Sequence, residues 1–334
     1  MRILILYNVA RELKKGVESD LVCEQEVTII VPLVKQLLKA KGHAVQTMET
    51  DFKLWEKLKR KKGSIDIVLN LAEAFGGGNT CETLVPEMLE ALEIPFTGAS
   101  SHNMHLTLDK EKTKLVLAAY GIPMAKHQIF RSPDEKVMRG LKFPMIVKPI
   151  REEASIGIYH DSVVEREPQL RKQVQTVLEK YHQPALVEEF IEGREISVGM
   201  IGNDPDFTVF PPLEFVFPEA QSPLEQIRSY EYKWGGKKEQ MIRAELPVKA
   251  VRKLEEYTRI AYLATECRDY ARMDYRVDAK GKVYLLEVNY NPGIGPNTHG
   301  LNNTLTMMAS FVEMGFEDLV EKIVRIAAKR YNIS

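Results

Sequence analysis

Three cysteines in 334 residues, Cys23, Cys81 and Cys267, stand far apart and form no Cys-x-x-Cys pair. That spacing excludes a disulfide framework, argues against a zinc site and reads as thiols of a reducing compartment. Long apolar runs are missing as well. No stretch approaches the ~18 consecutive apolar residues of a membrane span, and Met-Arg-Ile-Leu-Ile-Leu-Tyr-Asn at the start is too short for a signal peptide. A soluble, cytoplasmic protein is expected. Charge of one sign is also lacking: the formal net charge of −1 gives no reason to expect nucleic acid or an anionic membrane as partner. The basic run Lys57 to Lys62 is short and suits a solvated helix end.

What is present is an ordinary core-forming composition, 44% hydrophobic and 28% charged, over a length that suits two or three domains. Ile3 to Tyr7 reads as a buried parallel strand. The polar segment Asn8 to Asp20 reads as a loop. Glu24 to Lys41 has helical spacing, in which Pro32 implies a kink or a later start. Ala44 to Met48 and Ile65 to Leu71 read as strands flanking a helix over Leu54 to Lys61. This alternation predicts a doubly wound parallel sheet over roughly the first hundred residues. The glycine-rich segment Asn70 to Asn79 then falls at the carboxyl end of a strand, where such sheets bind ligands, although it also suits a plain surface loop.

Further along, Thr107 to Tyr120 and Glu165 to Tyr181 are predicted as helices. Phe143 to Pro149, Ile158 to His160, Ala185 to Phe190 and Ile196 to Ile201 are predicted as strands, which makes an α+β unit. Asp204 to Gln240 is polar, rich in proline and without clear periodicity, and reads as a flap. Val248 to Cys267 and Thr304 to Lys329 read as helices.

The most informative stretch is Ala271 to Gly295. Asp278-Ala279-Lys280-Gly281 supplies a turn between two strands. Alternation along the second puts Glu287 and Asn289 on one face, and closing the hairpin brings Asp274 there from the first. Two carboxylates and an amide oxygen make the hard oxygen set that suits Mg²⁺, and Arg272 shares the face. A hairpin with incidental surface acids is the plainer reading. Lys148, ending a strand beside the small-residue loop Ala154-Ser155-Ile156-Gly157, suits a phosphate clamp or a solvated strand end. Glu188 and Glu189 suit an exposed edge, or acceptors for an adenine amino group.

Taken in order, Leu108-Asp109-Lys110, Val147-Lys148-Pro149, Ser155-Ile156-Gly157, the segment Val187 to Glu195, Arg272-Met273-Asp274 and Leu286-Glu287-Val288-Asn289-Tyr290-Asn291-Pro292-Gly293 resemble the ATP-grasp superfamily, and within it the D-alanine–D-alanine ligases. The resemblance implies an N-terminal α/β domain (1–106), a central domain (107–187) and a C-terminal domain (188–334), with ATP sandwiched between the last two. By matching motif, it implies that Lys110, Lys148 and the flap's Lys233 contact phosphates. Ser155 would lie in the closing loop, Glu188 with the backbone of Glu189 and Ile191 would read adenine, and Glu195 would take the ribose. Asp274, Glu287 and Asn289 would bind two Mg²⁺ ions (Mn²⁺ as a substitute), Arg272 would stabilise the tetrahedral intermediate, and Glu24 would receive the first substrate's amino group.

The implied reaction is ATP-dependent joining of amino acids or small peptides through an acyl phosphate, D-alanine plus D-alanine in the reference case, by a homodimer serving peptidoglycan biosynthesis. Substrate-orienting positions depart from the family. A serine is replaced by Ala154 and a tyrosine by Trp234, and the segments 72–80 and 294–299 are changed. A ligase for another pair, or an ATP-binding regulator without turnover, are the alternatives.

Overall fold

The computed structural model describes residues 1–298 and 301–333, the side chains of residues 22–25 excepted. Strand β1 (Arg2–Tyr7) buries Ile3, Leu4, Ile5 and Leu6, so both its faces are covered, as its unbroken apolar run requires. Helix α1 (Val27–Ala40) covers the face of Ile3 and Ile5. β1 pairs in parallel with β2 (Ala44–Glu49). After α2 (Leu54–Lys61), β3 (Ile67–Leu71) pairs in parallel on its other side, giving the order β2-β1-β3. α2 and α3 (Leu84–Ala91) cover the face of Leu4 and Leu6. Helix α1 starts at Val27, three residues later than the spacing suggested. A 3-10 turn occupies Glu18–Gln25, which shortens the expected loop, and Pro32 lies inside α1.

The helix expected over Thr107 to Tyr120 is two. α4 (Ser101–Leu108) and α5 (Lys110–Ala119) meet at Asp109, whose extended backbone breaks the first and whose carboxylate caps the Lys112 N–H of the second. A domain limit at 106/107 therefore falls inside α4. Next, β4 (His127–Phe130), β5 (Met145–Pro149), β6 (Val163–Val164) and β7 (Ala185–Glu189) form an antiparallel sheet in the order β4-β7-β5-β6. α6 (Glu167–Tyr181) packs on the side chains of Met145, Val147, Ala185 and Val187. No strand spans Ile158 to His160; a 3-10 turn over His160–Ser162 leads into β6 instead. The limit at 187/188 cuts β7, which stays in register with β4 through Glu188 and with β5 through Glu189.

The third sheet is built from β8 (Arg194–Asn203), β9 (Asp206–Val209), β10 (Leu213–Val216), β11 (Gln240–Arg243), β12 (Tyr270–Val277) and β13 (Val283–Asn289). Its order is β11-β10-β8-β12-β13, with β9 beside β8. The expected flap thus contributes β9, β10, a one-turn helix α7 (Tyr230–Lys233) and the start of β11. Helix α8 (Val248–Ala264), together with Leu117 of α5, packs on the face of Ile196, Val198, Met273 and Tyr275. The single C-terminal helix expected is α9 (Thr304–Ser310) and α10 (Phe316–Arg330), and Gly315 caps the second. Both pack with α1 and with Ile201 and Phe210, so the first and third sheets share one core. No helix among the described residues is long and apolar enough to cross a membrane.

Candidate functional site

Alternation along the central strands decides what faces the site. On β12, Ala271, Met273, Tyr275 and Val277 enter the α8 core, so Arg272, Asp274 and Arg276 face the other way, beside Glu195 and Ser197 of β8. On β13, both Leu285 and Val288 enter that core although they are three apart. The β12–β13 register shifts between Asp274 and Tyr275, and this bulge absorbs the extra residue. Strict alternation from Leu285 would have turned Glu287 into the core. The bulge returns it to the site face, where Glu287 pairs with Asp274 and Asn289 with Arg272.

Asp274 is 8% exposed and fully engaged. Arg272 donates to its two oxygens from Nε and Nη2, each at 2.9 Å; Ser197 Oγ donates at 2.5 Å and Asn289 Nδ2 at 2.8 Å. Burial alone would raise its pKa, but Arg272 holds it below the ordinary carboxylate value. Glu287 lies 3.4 Å from the Lys110 ammonium. No group of three or more acid, histidine or cysteine side chains able to hold a metal stands ready among the described residues. The donors nevertheless suit a hard cation: two carboxylates on directly paired positions, now balanced by Arg272 and Lys110.

Across from this face, Ile146 and Lys148 of β5, Glu188 of β7 and Phe190 just after it line a slot of about 90 Å³. Glu188, 1% exposed, forms ion pairs with both Lys114 and Lys148. Burial pushes its pKa up, but the two ammonium groups win and hold it at about 2. Glu195 accepts from Arg276 Nη2 at 2.9 Å and from the Arg228 N–H at 3.1 Å.

The loop after β5 closes over the slot. Ala154 and Ser155 both have left-handed backbone, with φ 55° and 63°, which costs roughly 1–2 kcal/mol per residue and must be held by contacts. The contacts are present. Ser155 Oγ donates to the Arg228 carbonyl at 2.7 Å, Trp234 Nε1 to the Ala154 carbonyl at 3.0 Å, and the Tyr230 N–H to the Ile158 carbonyl at 2.7 Å. At Gly157, φ is +76° and a Cβ would stand 2.4 Å from Pro149 Cγ, so only glycine fits. The Tyr230 hydroxyl donates to the Ser19 carbonyl at 2.5 Å, fastening the N-terminal loop to the same lid.

Behind the lid lies a larger cavity of about 540 Å³ between the carboxyl ends of the first sheet and the start of α9. Glu152, Ala154, Arg228, Lys233 and Arg272 line both spaces, so the two adjoin.

Of the residues singled out in the sequence, Lys148, Ser155, Glu188, Glu189, Ile191, Glu195, Lys233, Arg272, Asp274 and Glu287 line the slot, with Asn289 just behind, bonded to Asp274. Lys110, Glu188 and Glu189 are placed otherwise than the resemblance implied. Lys110 is absent from the walls of either space, because its ammonium is turned to the Glu152 carbonyl and Glu287; Lys114, four residues on, stands with Glu188 and Lys148. The Glu188 carboxylate is occupied by lysines, and the Glu189 N–H donates to the Lys126 carbonyl, which narrows what either could offer adenine. The Glu24 side chain lies outside the described residues; Glu26 lines the larger cavity. Sequence reading also missed Ser197, Arg228 and Arg276. Arg276 had a signal in its position two after Asp274. Arg228 and Ser197 had none.

A D-alanine–D-alanine ligase of Bacillus anthracis, solved in complex with ATP, superposes with a TM-score of 0.72 over 99% of both chains at 21% identity. The fold is therefore ATP-grasp, two antiparallel sheets facing each other across a slot lined with lysines and carboxylates. The family profile described as D-ala D-ala ligase C-terminus matches residues 116–325. A D-alanine–D-alanine ligase of Carboxydothermus hydrogenoformans is 32% identical over 91% of this chain and 94% of its own. A Sinorhizobium fredii protein, described as uncharacterized protein y4sG, is 34% identical over 79% of this chain and 75% of its own. The chain belongs to the D-alanine–D-alanine ligase family and is an ATP-dependent ligase.

Proposed function

We propose that the protein joins the carboxylate of one amino acid to the amine of another amino acid or small peptide, with an acyl phosphate between. The observation that carries this reading is the shared wall. Arg272 and Lys233 stand where the slot meets the larger cavity, the point at which a terminal phosphate from one side and a carboxylate from the other would come together. A carboxylate is a poor electrophile, so its oxygen first takes the γ-phosphoryl group of ATP and ADP is released; a neutral amine then attacks the acyl carbon, loses a proton to solvent, and phosphate leaves as the amide forms. Lys148 and Lys233 would offset phosphate charge, Glu195 would accept from the ribose, and Ser155 would hold the lid shut. Arg272, fixed in orientation by Asp274, faces the oxyanion of the tetrahedral state. Asp274, Glu287 and Asn289 would hold Mg²⁺, two ions in the fullest form of this reading and Mn²⁺ as a substitute. The metal would supply neutralisation of the phosphate charge.

D-alanine with D-alanine is the reference pair, as in the relatives' names. The departing positions argue for testing more widely, since Ala154 and Trp234 here bond to each other. A cytoplasmic homodimer completes the reading, and size exclusion tests the dimer. The main test is phosphate release from ATP with Mg²⁺ across single amino acids and pairs, the product identified by mass spectrometry. Release only with an amino acid present, with an amide product, is expected. ATP-dependent thermal stabilisation without release under any pair would favour a nucleotide-binding protein instead.

A further inference from the structure

Arg276 is a buried charge for which the reaction above has no use. It lies on β12 directly opposite Glu195 of β8, and both residues line the slot. At 3% exposure its guanidinium is out of water, so acceptors must meet its charge. They come from three separate segments. Nη1 donates at 2.8 Å to the carbonyl of Gly193, just before β8. Nη2 donates to Glu195 Oε2 at 2.9 Å and, by a shorter bond, to the carbonyl of Gln226 in the stretch that leads to α7. The guanidinium carbon also stands 5.3 Å from the centre of the Phe190 ring. A planar fork held at all these points keeps one orientation.

Fixing the guanidinium fixes the carboxylate opposite. Glu195 Oε2 also accepts from the Arg228 N–H at 3.1 Å, so both lone pairs of that oxygen are in use. Among the described residues Oε1 has no hydrogen-bond partner, and it is not sealed inside protein. One free oxygen with both lone pairs available, on the wall of the slot, suits the neighbouring hydroxyl groups of a ribose. A sugar that lacks a hydroxyl leaves this oxygen short of a donor, and the locked carboxylate cannot turn to find another. Without Arg276 the carboxylate could rotate, and a missing hydroxyl would then cost little.

We propose that Arg276 is a positioning residue that makes the slot selective for ribonucleotides: by holding Glu195 Oε2 it presents Oε1 to the sugar hydroxyls. This rests on the placement of ATP in the slot given above. The test is calorimetric titration with ATP, 2′-deoxyATP and 3′-deoxyATP, with Mg²⁺ and no amino acid, of the parent, Arg276→Gln and Arg276→Lys. The parent should bind ATP more tightly than at least one deoxynucleotide by about tenfold or more. In Arg276→Gln that preference should fall below about threefold, because ATP weakens while the deoxynucleotides change little. Arg276→Lys keeps the charge and loses the fork, so its preference should fall as well, which covers the case of a glutamine variant that does not fold. Three results overturn the proposal and leave the ligase standing: a parent indifferent to both hydroxyls, a variant in which all three nucleotides weaken equally, or a lysine variant with the parent's preference. Equal weakening would mean that Arg276 only braces the strands. A parent that binds none of the three nucleotides removes the ATP placement and this proposal together.

Discussion

Glu188→Gln is a near-isosteric change that removes one buried negative charge from between Lys114 and Lys148. In the folded protein the carboxyl titrates at about 2 instead of its ordinary 4.5, worth about 3 kcal/mol of stability at neutral pH. Because the folded pKa is the lower one, that stability is complete above about pH 4.5 and is lost as pH falls through about 2. The variant takes up no proton at this position. Urea unfolding of both proteins should therefore show a gap of about 3 kcal/mol from pH 7 to 5, narrowing by about 1.4 kcal/mol per pH unit below 4.5. At high pH the gap should narrow again, since the variant's two neighbouring ammonium groups can relieve their repulsion by losing a proton. ATP should stabilise the variant more than the parent, because phosphate would restore the missing counter-charge. A gap below about 1 kcal/mol at pH 7, or one that stays flat between pH 5 and 3, would refute the claim that this carboxylate holds the lysine pair together.

Three further outcomes are expected. Glu287→Gln should lower turnover by at least two orders of magnitude by weakening the metal site, while the melting temperature without ligand stays within a few degrees; near-normal turnover would remove the metal assignment. Arg272→Lys keeps the charge but loses the two-point contact with Asp274, so kcat should drop roughly 10²–10³-fold while the ATP dissociation constant moves only severalfold, and equal losses would count against an oxyanion role. Trp234→Phe deletes the bond to the Ala154 carbonyl and should let water into the closed site, seen as more ATP hydrolysed per amide formed; a coupling ratio unchanged from the parent would mean that bond does not seal the lid.

The hairpin was legible because a period of two, a turn signal and four polar residues on an otherwise apolar pair admit few arrangements, and Arg272, Asp274, Glu287 and Asn289 do stand on adjoining positions. The bulge that puts them there was not. It depends on how Leu285 and Val288 both satisfy the α8 core, a tertiary demand invisible in strand periodicity. Lys114 shows the same limit. On an amphipathic helix it reads as a solvated residue, and only β7, more than sixty residues later, supplies the acid that buries it. The segment 204–240 was read as irregular because its strands are four residues long and separated by prolines, so no window was wide enough to show alternation.

The wall common to the slot and the larger cavity makes the two ligands thermodynamically answerable to each other. Whatever factor a bound nucleotide contributes to amino-acid affinity by reordering Arg228, Lys233 or the Ala154 segment, a bound amino acid must contribute to nucleotide affinity in equal measure. A chain that changes its choice of amino acid through these residues therefore retunes its affinity for ATP in the same step.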